Sequence, residues 1–111
     1  MKIIAAIDGG GSSTACCLVN SAGEVLAQSK GEGLLPIHAP GGVDRCRSVL
    51  LQVIEDACSQ AAIKPTDIAT AALGMTGLLP LMEQTIHETL HFIPDIVPVH
   101  DSVTAHEGAL L

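Results

Sequence analysis

Aromatic and basic side chains are almost missing from this chain of 111 residues. Phe92 is the only Phe, Tyr or Trp residue, so the hydrophobic core must be built from aliphatic side chains. The chain has five Lys and Arg residues and twelve Asp and Glu residues, which gives a net charge of −7. Nucleic acids and anionic membranes bind basic surfaces, so this charge balance argues against both as partners.

Membrane, export and metal signals are also lacking. No apolar stretch reaches the length of a membrane span, and the N-terminus does not have the pattern of a signal peptide. The cysteines show no C-x-x-C spacing, so we interpret them as small buried hydrophobic residues and expect no zinc site. Free thiols fit a reducing compartment, so a cytoplasmic location is expected. The four cysteines are Cys16, Cys17, Cys46 and Cys58.

The helix-type nucleotide motifs are absent, but a different glycine-rich turn is present. An apolar run over residues 3–7 predicts a buried strand that ends in Asp8. Backbone N–H groups and hydroxyls in such a turn can cradle a phosphate, and Asp8 could hold a hydrated Mg²⁺ beside it. The alternative is a glycine-rich hairpin with an incidental aspartate. The turn consists of Gly9, Gly10, Gly11, Ser12, Ser13 and Thr14.

Hydrophobic periodicity predicts one α/β domain over residues 1–111 with the order βββαβαβα. The first three strands form an antiparallel meander, and the later α/β crossovers add parallel strands to give a mixed sheet with helices packed on its faces. The long loop before the first helix is expected to be a binding loop. Predicted strands cover residues 3–7, 15–19, 24–29, 68–74 and 96–100, the loop 30–42, and helices 43–62, 79–91 and 101–111.

Two carboxylates are expected to share one rim of this sheet. Ligands on α/β sheets bind at the carboxyl ends of the parallel strands. Asp8 follows the first strand and Asp101 follows the last, so both are predicted at that rim, near the glycine-rich turn. Considered alone, Asp101 is more simply interpreted as the N-cap residue of a third helix.

Three segments together resemble the N-terminal domain of the BadF/BadG and N-acetylglucosamine-kinase-like ATPase group, in the acetate/sugar kinase–Hsp70–actin superfamily. Residues 8–14 match its D-G-G-G-T-x-T phosphate loop, with Ser12 in place of the first Thr. Residues 73–77 look like its G-L-x-G segment. Residues 99–102 look like its V-x-N-D-[AG] segment, with His100 where Asn is usual. The resemblance implies a ribonuclease-H-like fold.

The resemblance also implies ATP and Mg²⁺ as cofactors and an ATP-dependent kinase acting on a sugar or amino sugar. Asp101 would accept the proton of the attacking hydroxyl, and Asp8 would organise Mg²⁺ through water. The residues of the glycine-rich turn, Gly9 to Thr14, would bind the phosphates. Weaker substrate candidates are His38, Thr76, Gly77 and His100.

The same resemblance marks what this chain does not contain. Members of the group carry a second, C-terminal domain that holds the adenosine, so the isolated chain is expected to bind ATP poorly and to be nearly inactive. Residues 33–38 are mostly apolar where sugar kinases carry polar residues, which leaves the acceptor undefined. The alternative function is a BadF-type ATPase that energises a partner protein. Apolar surface left by the missing domain makes a homodimer an expected assembly.

A rival motif lies in the second predicted helix. Residues 87–91 spell H-E-x-x-H, which on a helix can bind Zn²⁺ between two imidazoles. His87 and His91 stand at the end of the helix, and no convincing third ligand follows. We therefore favour a solvated helix end, where histidine complements the helix dipole, over a zinc protein.

Overall fold

A computed structural model describes residues 2–9, 13–34, 40–75 and 80–99. These residues form a mixed sheet of five strands with two α-helices, which confirms the predicted α/β class. The third helix predicted for residues 101–111 lies outside the described residues. The elements are β1 Ile3–Gly9, β2 Ser13–Asn20, β3 Val25–Glu32, α1 Gly42–Ala61, a 3₁₀ turn Pro65–Asp67, β4 Ile68–Met75, α2 Pro80–Thr89 and β5 Asp95–Val99.

The strand order across the sheet is β3-β2-β1-β4-β5. β1, β2 and β3 pair antiparallel as the predicted meander, whereas β4 pairs parallel to β1 and β5 parallel to β4. β1 therefore lies at the centre, where the meander meets the parallel strands. Pro98 lies in β5 at an edge of the sheet, which is the position that its missing N–H predicts.

Both helices lie on the same face of the sheet. The connections from β3 to β4 and from β4 to β5 run in the same direction across the sheet. Because such crossovers are right-handed, connections in one direction place their helices on one face. Accordingly, α1 packs on β2, β3 and α2. No helix in the described ranges combines the length and apolarity needed to cross a membrane.

The core lies between this helical layer and the sheet and is aliphatic, as the composition requires. On β1, Ala5 and Ile7 are fully buried and face the helices, while Asp8 on the opposite face is exposed. Cys16 is buried as predicted, but Cys17 is only half-buried, because adjacent residues of a strand point to opposite faces. The helices supply eight further apolar residues that are at most 1% exposed: Cys46, Leu50, Val53, Ile54, Ala57, Cys58, Met82 and Ile86.

Several predicted boundaries were wrong. β1 continues to Gly9 and β2 begins at Ser13, so Gly9, Ser13 and Thr14, which were predicted in the turn, lie in strands. β3 continues through Gly31 to Glu32, where a loop was predicted from residue 30 onwards, because Thr14 of β2 pairs with Gly31 and extends the ladder. Pairing with a neighbouring strand overrides the weak strand preference of glycine. The second helix ends at Thr89, two residues before the predicted end at His91.

Candidate functional site

Asp8 lies at the centre of the sheet, at the carboxyl end of β1. Its neighbours in the ladder are Ala15 on β2 and Gly74 on β4, neither of which has a polar side chain. The Asp8 side chain is exposed, and among the described residues no ion pair or hydrogen bond engages its carboxylate. An unengaged carboxylate at a strand end suits Mg²⁺, which keeps several of its water ligands and takes one or two carboxylates from the protein.

Residues that are in register across neighbouring strands form a row that runs from Asp8 to the end of β5. Asp8 is in register with Gly74, and Gly74 is in register with Val99, the last residue of β5. Neighbouring strands are about 4.8 Å apart, so two steps along this row separate Asp8 from Val99 by about 10 Å. The chain therefore leaves β5 at the same rim that carries Asp8, two residues before Asp101.

The two described hydroxyl residues of the glycine-rich turn lie on opposite faces of the sheet. Ser13 shares the face of Asp8 and is half-buried. Thr14, opposite Gly9, faces the helices and is 0% exposed. Among the described residues, the buried Thr14 Oγ1 has no hydrogen-bond partner. Burying a hydroxyl without a partner costs about 1–3 kcal/mol, so this group is unusual for a native core.

The orientation of Thr14 was not anticipated from the sequence. Side-chain faces alternate along each strand, but the face on which Thr14 lies relative to Asp8 depends on the register between β1 and β2. The remaining predicted site residues lie outside the described residues, and their roles stay predictions. They are Gly10, Gly11, Ser12, His38, Thr76, Gly77, His100 and Asp101.

A family profile matches most of the chain. The profile of the BadF/BadG/BcrA/BcrD ATPase family matches residues 6–109. The chain belongs to this family. A comparison of this BadF/BadG family chain with curated proteins finds no match.

Solved structures share the fold at low sequence identity. A candidate N-acetylglucosamine kinase from Chromobacterium violaceum aligns with a TM-score of 0.68 and 22% identity, covering 97% of this chain and 39% of that protein. The Acidaminococcus fermentans (R)-2-hydroxyglutaryl-CoA dehydratase component A aligns with a TM-score of 0.57 and 15% identity, covering 88% and 31%. YeaZ from Pseudomonas aeruginosa gives 0.56 and 17%, covering 90% and 43%. The BadF/BadG family chain therefore spans less than half the length of each.

The cysteines of the BadF/BadG family chain are free thiols held in the protonated form. Burial, with smaller contributions from Cys58 and Cys17, raises the pKa of Cys16 to about 12. Burial also raises the pKa values of Cys17, Cys46 and Cys58. Metal binding and nucleophilic attack require the thiolate, so these positions disfavour both. In the described part of the chain, no three His, Cys, Asp or Glu side chains cluster as metal ligands would.

The H-E-x-x-H segment of the BadF/BadG family chain does not adopt zinc-protease geometry. α2 ends at Thr89, so His87 and His91 are not both on its helical face. Glu88 accepts hydrogen bonds from Arg47 of α1 at 3.1 Å and from Gln84 at 3.1 Å. The Glu88 carboxylate thus links α2 to α1 at the protein surface. The His91 ring nitrogen Nδ1 lies 3.2 Å from the Glu88 carbonyl oxygen.

Proposed function

We propose that this chain is the N-terminal part of an ATP-dependent kinase that phosphorylates a sugar or amino sugar. Membership of the ATPase family supports nucleotide binding. The single observation that carries the proposal is the Asp8 carboxylate near the end of the central strand: no group in the described residues engages it, and it lies in one row with Val99, the last residue of β5. A cytoplasmic location is part of the proposal, because all four cysteines are free thiols.

In this proposal Asp8 and Asp101 have separate chemical roles. Asp8 would hold Mg²⁺ through water, and the ion would supply positive charge next to the transferred phosphoryl group. Gly10, Gly11 and Ser12 donate hydrogen bonds to the β- and γ-phosphates. Asp101 accepts the proton of the acceptor hydroxyl and fixes its direction of attack. A spacing of about 10 Å between Asp8 and the end of β5 leaves room for a phosphoryl group beside Asp8.

The proposal includes a second domain. The chain spans 31% to 43% of the length of the three solved structures described above. We propose that a C-terminal domain supplies the adenosine contacts, so that the present chain alone binds the phosphates weakly. The sugar contacts in this proposal come from His38, Thr76, Gly77 and His100.

A partner-energising ATPase is the second candidate, and family membership together with the fold shared with a dehydratase component favours it. In such a protein hydrolysis would not need a small acceptor. Relatives that carry an iron–sulfur cluster need cysteines at the domain junction. Here Cys16, Cys46 and Cys58 are buried in the helix–sheet core, which disfavours that variant.

The test measures ADP release by the protein that includes the second domain, with and without N-acetylglucosamine, glucosamine or glucose. Asp101→Ala is expected to abolish phosphoryl transfer while leaving nucleotide binding intact. Asp8→Asn is expected to weaken Mg²⁺-dependent binding. Asp56→Asn, an exposed aspartate on α1, is the matched control for loss of one negative charge and should behave as the wild type.

The outcomes separate the candidates. Release of ADP that depends on a sugar supports the kinase, whereas release that no sugar accelerates supports the partner-energising ATPase. Equal activity of Asp8→Asn and Asp56→Asn would contradict the role of Asp8 and with it both candidates. Retained sugar phosphorylation in Asp101→Ala would exclude that residue as the base.

A further inference from the structure

Lys30 lies in the same row of the sheet as Asp8. It is opposite Ala15 of β2, and Ala15 is in turn opposite Asp8 of β1. Side chains of residues that are directly opposite each other in neighbouring strands point to the same face of a sheet. The row therefore carries an ammonium group and a carboxylate, two strands apart, on the face opposite α1 and α2.

The sheet is open to solvent between and around these two charged groups. Asp8 and Ala15 lie on interior strands, yet both are exposed. On the other side of Asp8, Gly74 of β4 has no side chain that could fill the space above the sheet. Further from this rim, Ala6 and Cys17 on the same face are already half-buried. The exposed part of the face is thus a shallow surface lined by small residues, with Lys30 at its side.

Both charged groups are available to a ligand. In the part of the chain that the structure describes, neither Lys30 nor Asp8 has an ion-pair or hydrogen-bond partner for its side chain. Their Cα atoms are about 10 Å apart, since neighbouring strands are about 4.8 Å apart. A lysine side chain extends about 6 Å from its Cα atom. The Lys30 ammonium can therefore reach across Ala15 to a group that is bound beside Asp8.

The other cationic side chains lie elsewhere in the fold. Lys2 precedes β1 and Lys64 follows α1, so both are at the opposite end of the sheet. Arg45 and Arg47 belong to α1, which packs on the other face. Among the described residues, Lys30 is thus the only lysine or arginine at the Asp8 end of this face, in a chain whose net charge is −7.

We propose that Lys30 is a phosphate-binding residue whose ammonium group contacts an oxygen of the phosphoryl group bound beside Asp8. This inference rests on the proposed function and adds to it a residue outside the glycine-rich turn. Asp8 would act through Mg²⁺, whereas Lys30 attracts the phosphate directly and needs no metal. The simpler role for a lysine on an edge strand is to prevent edge-to-edge pairing of sheets, and the experiment has to separate the two roles.

The experiment measures the dissociation constant for ATP of the 111-residue chain by NMR titration, once with Mg²⁺ and once with EDTA. Lys30→Gln is expected to lower the affinity about fivefold in both conditions at low ionic strength, which corresponds to about 1 kcal/mol. The difference should shrink in about 1 M salt, where the Debye length is about 3 Å. Lys30→Arg keeps the charge and should retain most of the affinity.

Two further variants serve as controls. Lys2→Gln is the matched control, because it removes one exposed lysine charge at the opposite end of the sheet, and its affinity should equal that of the wild type. Asp8→Asn should show a different pattern, with weaker binding in Mg²⁺ and no loss of binding in EDTA. The melting temperature of unliganded Lys30→Gln should equal that of the wild type, so that a loss of affinity is not a loss of fold.

Three results would overturn the inference. If Lys30→Gln binds ATP as tightly as the wild type, Lys30 only protects the sheet edge, and the proposed function still stands if Asp8→Asn loses Mg²⁺-dependent binding. If Lys30→Gln and Lys2→Gln lose affinity equally, only the net charge of the chain matters. If the wild type does not bind millimolar ATP in Mg²⁺, the proposed function fails, and the inference fails with it.

Discussion

The substitution Gly31→Ala tests how closely α1 packs on the strand beside the proposed site. Gly31 lies in β3 at the edge of the sheet, and a Cβ built on it would lie 2.8 Å from Val53 Cγ1. Val53 is fully buried in the middle of α1. A valine in a helix has one strongly preferred χ1 rotamer, so its methyl group cannot rotate away from the added carbon.

The expected cost follows from two opposing terms. Forcing an extra methyl group into a packed core costs about 1–3 kcal/mol. Replacing glycine with alanine at a compatible backbone position recovers about 0.4–1 kcal/mol through the unfolded state. Gly31 does not have a positive φ, so its backbone accepts alanine and the clash dominates. We expect a net loss of about 1–2 kcal/mol in the free energy of unfolding.

The assay is urea unfolding with a double-mutant cycle. Each kcal/mol lost should also lower the melting temperature by about 4–8 °C. Val53→Ala removes the clashing methyl groups, so combining it with Gly31→Ala should cost less than the sum of the two single changes. Lys30→Ala, at the exposed neighbouring position on β3, is the control and should change stability by less than about 0.5 kcal/mol.

Unchanged or increased stability of Gly31→Ala would refute the argument, because it would mean that α1 can move away from β3 without cost. Exact additivity with Val53→Ala would refute it in a different way. The loss would then be unrelated to contact between these two residues.

Two further predictions concern the cap of α1 and the buried thiols. Ala62 is the C-cap of α1 and has φ 57°, a left-handed conformation that favours glycine. Ala62→Gly should therefore raise the free energy of unfolding by about 0.5–1 kcal/mol, measured by urea unfolding. Ala61→Gly is the control, because Ala61 is still helical and glycine there should lower stability. Cys16 has its pKa raised from 9.0 to about 12, so the unfolded thiol ionises first and stability should fall as pH rises from 9 to 12. Replacing Cys16 with alanine should reduce this alkaline slope, and an unchanged slope would contradict the burial argument.

Local patterns along the chain were sufficient to predict most of the fold. The apolar run before Asp8 and the alternation of strands and helices indicated the mixed sheet, because each element must bury its apolar residues against a neighbour. The strand period also accounts for the different burial of the adjacent Cys16 and Cys17. Pro98 lies in the edge strand β5, which fits a residue that cannot donate to a central ladder.

Properties that depend on pairing between distant residues were not predictable in the same way. β3 extends to Glu32 only because Thr14 pairs with Gly31 across the sheet. The H-E-x-x-H spacing looked helical, but α2 ends before His91 and Glu88 is held by Arg47 from the other helix. No local pattern encodes a contact with a residue 41 positions away.

The order of residues by itself determined that a strand ends in an aspartate and three glycines, because backbone freedom and charge are properties of the residues. The tertiary structure decided that no group in the described residues engages the Asp8 carboxylate, that Asp8 lies in one row with the end of β5, and that the Thr14 side chain is buried on the opposite face. These depend on register and on the approach of α1 to Gly31, which arise only when distant segments pack together.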